Sequence, residues 1–134
     1  RPGRSARRRR GRGTLMATLT IRNSDRGSVL ASRAAIADTS VSRCVGLLKH
    51  DNLPEGHGLW IVPCEGIHTL GMKFPFDVLF LDRRKRVLKI RRNMVPRRLS
   101  LHLWAHSVLE LPAGVVDATG TARGDRLEFE RQED

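Results

Sequence analysis

The apolar residues of this 134-residue chain come in short bursts, each interrupted by turn residues before it grows long. Leu19-Thr-Ile21 alternates, Val29–Ile36 follows, and Gly58–Val62 ends at Pro63. Val78–Leu81 runs into the charged turn Asp82–Arg86, and Val87–Arg91 returns from it, which predicts a hairpin. Ser107–Leu111 alternates before Pro112-Ala-Gly114, and Gly124–Glu130 closes the series with Leu127 and Phe129 facing inward. Bursts of this length suit strands, because an amphipathic helix needs about 10 residues or more to bury a stripe. One segment differs. Val41, Cys44, Val45 and Leu48 fall at i, i+3, i+4 and i+7, and Asp38 or Thr39 stands ready to cap, so the spacing predicts a helix over Asp38–Leu48. The breakers Asn52-Leu-Pro-Glu-Gly56 stop it. Seven or so strands and one short α-helix predict a mainly β fold, a small β-sandwich or partly open barrel.

Neither an internal repeat nor an interior linker divides the chain, so residues 16–134 are expected to form one domain. The formal charge of +11 suggests a nucleic-acid binder until it is located. Seven arginines within residues 1–13 supply most of it and leave +4 for the remainder. Met16 stands just before the first strand, so the expectation is that it is the true start. Residues 1–15 then form an Arg-rich arm outside the fold: upstream translation, a propeptide remnant or a disordered extension. As part of the protein, such an arm binds polyanions non-specifically and with steep salt dependence. No apolar run nears the ~20 residues of a membrane span, and no apolar signal region opens the chain, which predicts a cytoplasmic protein; a monomer is the separate expectation. Cys44 and Cys64 are accordingly expected to be reduced thiols.

The order of several short segments carries a resemblance. Cys44-Val-Gly-Leu-Leu48 is similar to a helix segment normally reading Arg-Gly-Leu-Met, with Val45 standing where arginine is usual. Gly58-Leu-Trp-Ile-Val-Pro63 matches a Gly-Met-Leu-Phe-like strand. Ile67-His-Thr-Leu-Gly-Met-Lys-Phe-Pro-Phe-Asp77 is the most specific piece, close to His-Thr-Phe-Gly-Met-Arg-Phe-Pro-Ile-Asp. Leu109-Glu-Leu-Pro-Ala-Gly114 and Gly124-Asp125 complete the order. Together they resemble the bacterial and archaeal domain-of-unknown-function family number 192. That resemblance implies a compact, mainly β, sandwich-like fold, and it implies no activity and no catalytic residues. Many members of that family carry an export signal, in contrast to the cytoplasmic location expected here.

Four polar residues stand out as ligand-binding candidates: His68, Lys73, Asp77 and Glu110. Glu110 lies between Leu109 and Leu111, so if those two face the core it faces the other side of its strand. Asp77 opens an apolar strand between Phe76 and Val78, where a carboxylate needs a partner. Lys73, four residues upstream, is one such partner; backbone amides in the bend are another. A polar pocket, a structural ion pair and a carboxylate capping amides all remain open at this point.

Other constellations are weaker. Cys44, His50, His57, Cys64 and His68 are zinc-ligand types, but only Cys64-x3-His68 approaches a compact ligand pair, so no metal and no cofactor is expected. Cys64 and His68 are also the one nucleophile–base pair a turn can bring together. Trp60 and Trp104 read as core anchors more than as a stacking platform, since the chain has only six aromatic residues. The expectation is therefore a small binding or accessory domain with a polar concavity at the His68–Asp77 bend and the Glu110–Gly114 turn, for an unknown small ligand or protein partner. On that reading Asp77→Asn removes binding and spares the fold. The alternatives are a hydrolase with Asp77 or Glu110 as general base, helped by His68 or Lys73, and non-specific nucleic-acid binding through residues 1–13.

Overall fold

The structure, a computed structural model, describes residues 18–39, 52–68, 73–95, 99–102 and 104–132. Among the described residues there are nine strands, seven of them at the predicted segments: β1 (Thr18–Asn23), β2 (Ser28–Ala37), β3 (His57–Ile61), β4 (Gly66–His68), β5 (Phe76–Leu81), β6 (Val87–Met94), β7 (Leu99–Leu101), β8 (Ser107–Pro112) and β9 (Leu127–Gln132). Seven of them form one sheet in the order β6-β5-β8-β3-β2-β1-β9, and β4 pairs with β7 in a separate two-stranded sheet. The predicted β5–β6 hairpin is present, closed by Asp82, whose Oδ1 accepts hydrogen bonds from the amides of Arg84 and Arg86.

All neighbouring strands are antiparallel except β2 and β3. A parallel pair cannot be joined by a tight turn and needs a crossover of about a dozen residues or more. Residues 38–56 supply it, and the helix predicted over Asp38–Leu48 falls there, outside the described residues but for Asp38 and Thr39. Among the described residues there is a single helix, α1 (Val115–Ala118), which the sequence pattern did not predict.

The sheet curls until its two edges touch at one end. Arg86 bridges Arg126, the Val87 amide donates to Asp125 O, the Gly124 amide to Val87 O, and the Leu127 amide to Lys85 O. This is the partly open barrel of the two predicted architectures. Strand alternation then gives the sheet two buried faces. The inner face carries Ile21, Leu30, Ala34, Leu79, Leu109, Leu111 and Leu127, with Val116 of α1 packed into it. The outer face carries Leu59, Ile61, Phe76, Val78, Phe80 and Val108. Gly58 belongs to the inner face, where a Cβ would come within 3.1 Å of Leu111 Cδ2 and 3.4 Å of Ala31 Cβ.

A polar knot ties the seam. Asp125 accepts hydrogen bonds from Arg26 Nε (2.9 Å), Asn23 Nδ2 (2.9 Å) and the Ala122 amide (2.9 Å). The Arg26 contact first, helped by the other two, holds the Asp125 carboxyl down at about 2 against an ordinary 3.8. Its folded-state value is depressed, so its stabilisation is full above pH 4 and lost as the pH falls towards 2. Asp125→Asn is expected to flatten that acid limb, and equilibrium unfolding of both proteins between pH 2 and 5 measures it. Parallel curves would show that the knot does not titrate.

Candidate functional site

Asp77 is the first of the four candidate residues to consider, and its carboxylate is occupied by the fold. Where β6 passes β5 a bulge inserts an extra residue, and Asn93 adopts a left-handed conformation (φ 52°). The Asn93 amide donates to Asp77 Oδ1 at 2.9 Å. On the other side, the amides of Gly114 and Val116 both donate to Asp77 Oδ2 at 3.0 Å. Gly114 has φ 96°, a conformation that costs glycine little and turns its amide towards the carboxylate at the start of α1. Backbone amides, one of the partners the sequence offered, thus hold this carboxylate. They come from the bulge in β6 and from the start of α1.

Glu110 is at the centre of β8 and points the other way. It pairs with Val78 on one side and Leu59 on the other, both outer-face residues, whereas Asp77 pairs with Leu111 on the inner face. The two carboxylates thus lie on opposite faces of one sheet and cannot share a site. The expectation that Glu110 opposes Leu109 and Leu111 holds, but the face it meets is apolar rather than wet. Glu110 is 5% exposed, and its Oε1 has no hydrogen-bond partner among the described residues. Burial alone pushes its carboxyl up to about 8, so it is mostly protonated at neutral pH.

The other two candidates are elsewhere. His68 is the last residue of β4 and pairs with Leu99 of β7. Lys73 is exposed on the approach to β5. Residues 69–72, the middle of the expected concavity, lie outside the described residues, as do Cys44, His50 and the Arg-rich residues 1–15. Among the described residues no three His, Cys, Asp or Glu side chains converge on a metal-sized site.

An open groove of about 660 Å³ lies at the other end of the outer face. Three segments line it: Pro63–Glu65 after the cis Val62–Pro63 peptide, Asp82–Arg84 in the β5–β6 turn, and Trp104–His106 leading into β8. Backbone bonds hold them together, with the Cys64 amide donating to His106 O and the His106 amide to Leu81 O, both at 2.8 Å. The half-buried Cys64 thiol donates to Gly66 O at 3.0 Å. The histidine whose backbone is bonded to that of Cys64 is thus His106. Burial first, then the charges of Arg83 and Lys85, pushes the His106 imidazole below its ordinary range.

Trp104 corrects one expectation outright. It is 82% exposed at the groove, not a core anchor. Its turn is held by its own amide, which donates to His102 Nδ1 at 3.2 Å, and this leaves the indole outside. Trp60 does face the inner core, with its ring 4.6 Å from that of Phe129 and Lys85 Nζ 5.3 Å above it. In Leu101-His-Leu-Trp104, alternation puts Trp104 on the face of His102 rather than on that of the two leucines, a signal that the expectation of a core anchor passed over.

Among proteins of known sequence, a UPF0127 protein of Thermococcus sibiricus is 31% identical over 117 residues, covering 84% of this chain and 75% of that one. A UPF0127 protein of Pyrococcus furiosus is 29% identical over 119 residues, covering 81% and 97%. Both relatives are archaeal. Two bacterial crystal structures share the fold. One is a protein of unknown function from Novosphingobium aromaticivorans, with TM-score 0.73, 22% identity and coverage of 84% of each chain. The other is a proposed transcription regulator from Sinorhizobium meliloti, with TM-score 0.75, 24% identity and coverage of 86% of this chain and 94% of that one. No helix among the described residues is long and apolar enough to cross a membrane. The family model for domain of unknown function 192, described as an uncharacterised ACR, matches residues 21–129, and the chain belongs to that family.

Proposed function

We propose that the protein is a small binding or accessory domain, and that its ligand seat is the groove between Pro63–Glu65, Asp82–Arg84 and Trp104–His106. The observation that carries this reading is Trp104, held 82% exposed over an open groove of about 660 Å³. An aromatic of that size left in water forgoes most of its burial energy, and such exposure recurs at recognition surfaces. The groove walls are fixed to the sheet by backbone bonds, so the seat is preformed rather than built by a loose loop.

The geometry gives less support to the His68–Asp77 bend as the seat. Asp77 already accepts three amides, and Glu110 is closed off on the opposite face. A hydrolase using either carboxylate as general base is disfavoured for the same reason, because a base must reach the proton it removes. Fragment mapping by amide NMR tests the proposal. Shifts are expected to cluster at Glu65, Arg83, Arg84 and Ala105. Clustering at Lys73 and Gly114 instead would return the seat to the bend and overturn the groove.

A further inference from the structure

The groove combines features that each select part of a ligand. Trp104 offers a flat, polarisable face on which an unsaturated ring stacks. Arg83 and Arg84 are exposed at the tip of the β5–β6 turn. The acid beside them, Asp82, has Oδ1 committed to the Arg84 and Arg86 amides and thus serves the turn. His106 at the back of the groove is held below its ordinary range, by burial first and then by the charges of Arg83 and Lys85. A neutral imidazole there is one donor and one acceptor. Glu65, exposed at the rim, supplies acceptors for hydroxyl or amino hydrogens. The volume is that of a site for one small molecule, not an extended polymer.

Resting on the groove reading above, we infer that its ligand is a flat heteroaromatic ring joined to a phosphate, the chemistry of a nucleotide, with the ring on Trp104 and the phosphate between Arg83 and Arg84. Guanidinium groups match phosphate oxygens in a two-pronged geometry, and a positive turn next to a stacking face separates the two ends of such a molecule. A free mononucleotide and a base of a single strand present the same chemistry.

Calorimetry on the full chain at about 0.15 M salt, where surface charge is screened beyond about 8 Å, decides the matter. The probes are AMP, adenosine and ribose 5-phosphate. AMP is expected to bind about tenfold or more tighter than either part alone. Arg83→Gln with Arg84→Gln brings AMP down to the adenosine level, and Trp104→Ala brings it down to the ribose 5-phosphate level. Trp104→Phe retains a ring and most of the affinity, which separates stacking from any change of fold. AMP binding no tighter than ribose 5-phosphate, or indifferent to all three variants, overturns the inference. A short oligothymidylate distinguishes the sources. Binding weakened about tenfold by Trp104→Ala assigns the same chemistry to a strand. Binding unaffected by that change reflects charge elsewhere and counts against the groove taking a base. Fragments that shift groove amides but are not displaced by AMP would leave the seat standing and the ligand class wrong.

Discussion

Glu110→Gln is expected to stabilise the protein by about 4 kcal/mol more at pH 8 than at pH 4. The folded state holds the Glu110 carboxyl at about 8, against 4.5 for an open chain. Between these values the folded protein binds a proton that the unfolded chain has lost. Stability therefore falls as the pH rises from 4.5 to 8, and levels off above the folded value. Below 4.5 both states are protonated and the residue contributes no pH dependence. Glutamine copies the shape of the protonated acid and cannot ionise, so the variant lacks the slope. Urea unfolding of both proteins at pH 4 and pH 8 measures the difference. An equal effect at the two pH values would mean that the carboxyl is paired or hydrated in the folded protein. The site matters because β8 is an interior strand of the sheet, and a charge forming there acts between Leu59 and Val78.

Asp77→Ala is expected to cost about 4 kcal/mol, the other large effect in this protein. The substitution strands three amides at once, from Asn93, Gly114 and Val116. Two of the segments involved have left-handed residues, Asn93 and Gly114, so neither relaxes readily to find a new partner. Asp77→Asn is expected to lose most of the same energy, since an amide offers one acceptor oxygen and turns two donors towards donors. Thermal or denaturant unfolding reads both. A loss below about 1 kcal/mol in the alanine variant would show that water or a shifted backbone replaces the carboxylate. This expectation reverses the sequence-based one, in which Asp77→Asn spared the fold.

The contrast between these two acids shows what the sequence made legible. Each strand's alternation is local, so Leu109 and Leu111 placed Glu110 on the reverse side of β8 without any structure. Whether Asp77 shares that side depends on register, and register is a long-range quantity. Asp77 stands opposite Leu111 rather than Glu110, and a slip of one residue would have put the acids together. The longer strands were legible because their apolar residues repeat. β4 and β7 were not, because three residues carry no period and their pairing joins Gly66 to Leu101. Helix α1 has four residues and begins immediately after Gly114, where turn chemistry is the stronger local signal. The groove was invisible for a similar reason. Its three walls come from segments up to about 40 residues apart, and the pairing of β3 and β5 on either side of β8 brings them side by side.

The pairing of β1 with β9 has a kinetic consequence. Thr18 stands against Gln132, more than a hundred residues along the chain, and Asn23 against Leu127. During synthesis β1 emerges first and, while it can pair with β2 at once, its other edge stays unfilled until β9 has been made. That edge includes Leu19 and Ile21, which are buried in the finished protein. A nascent chain thus exposes a strand edge with apolar neighbours for most of its translation, the situation in which chains associate with one another. The seam joins Val87 to Gly124 and Asp125, on the segment leading into β9, so the barrel cannot close on a growing chain until that last part has been made.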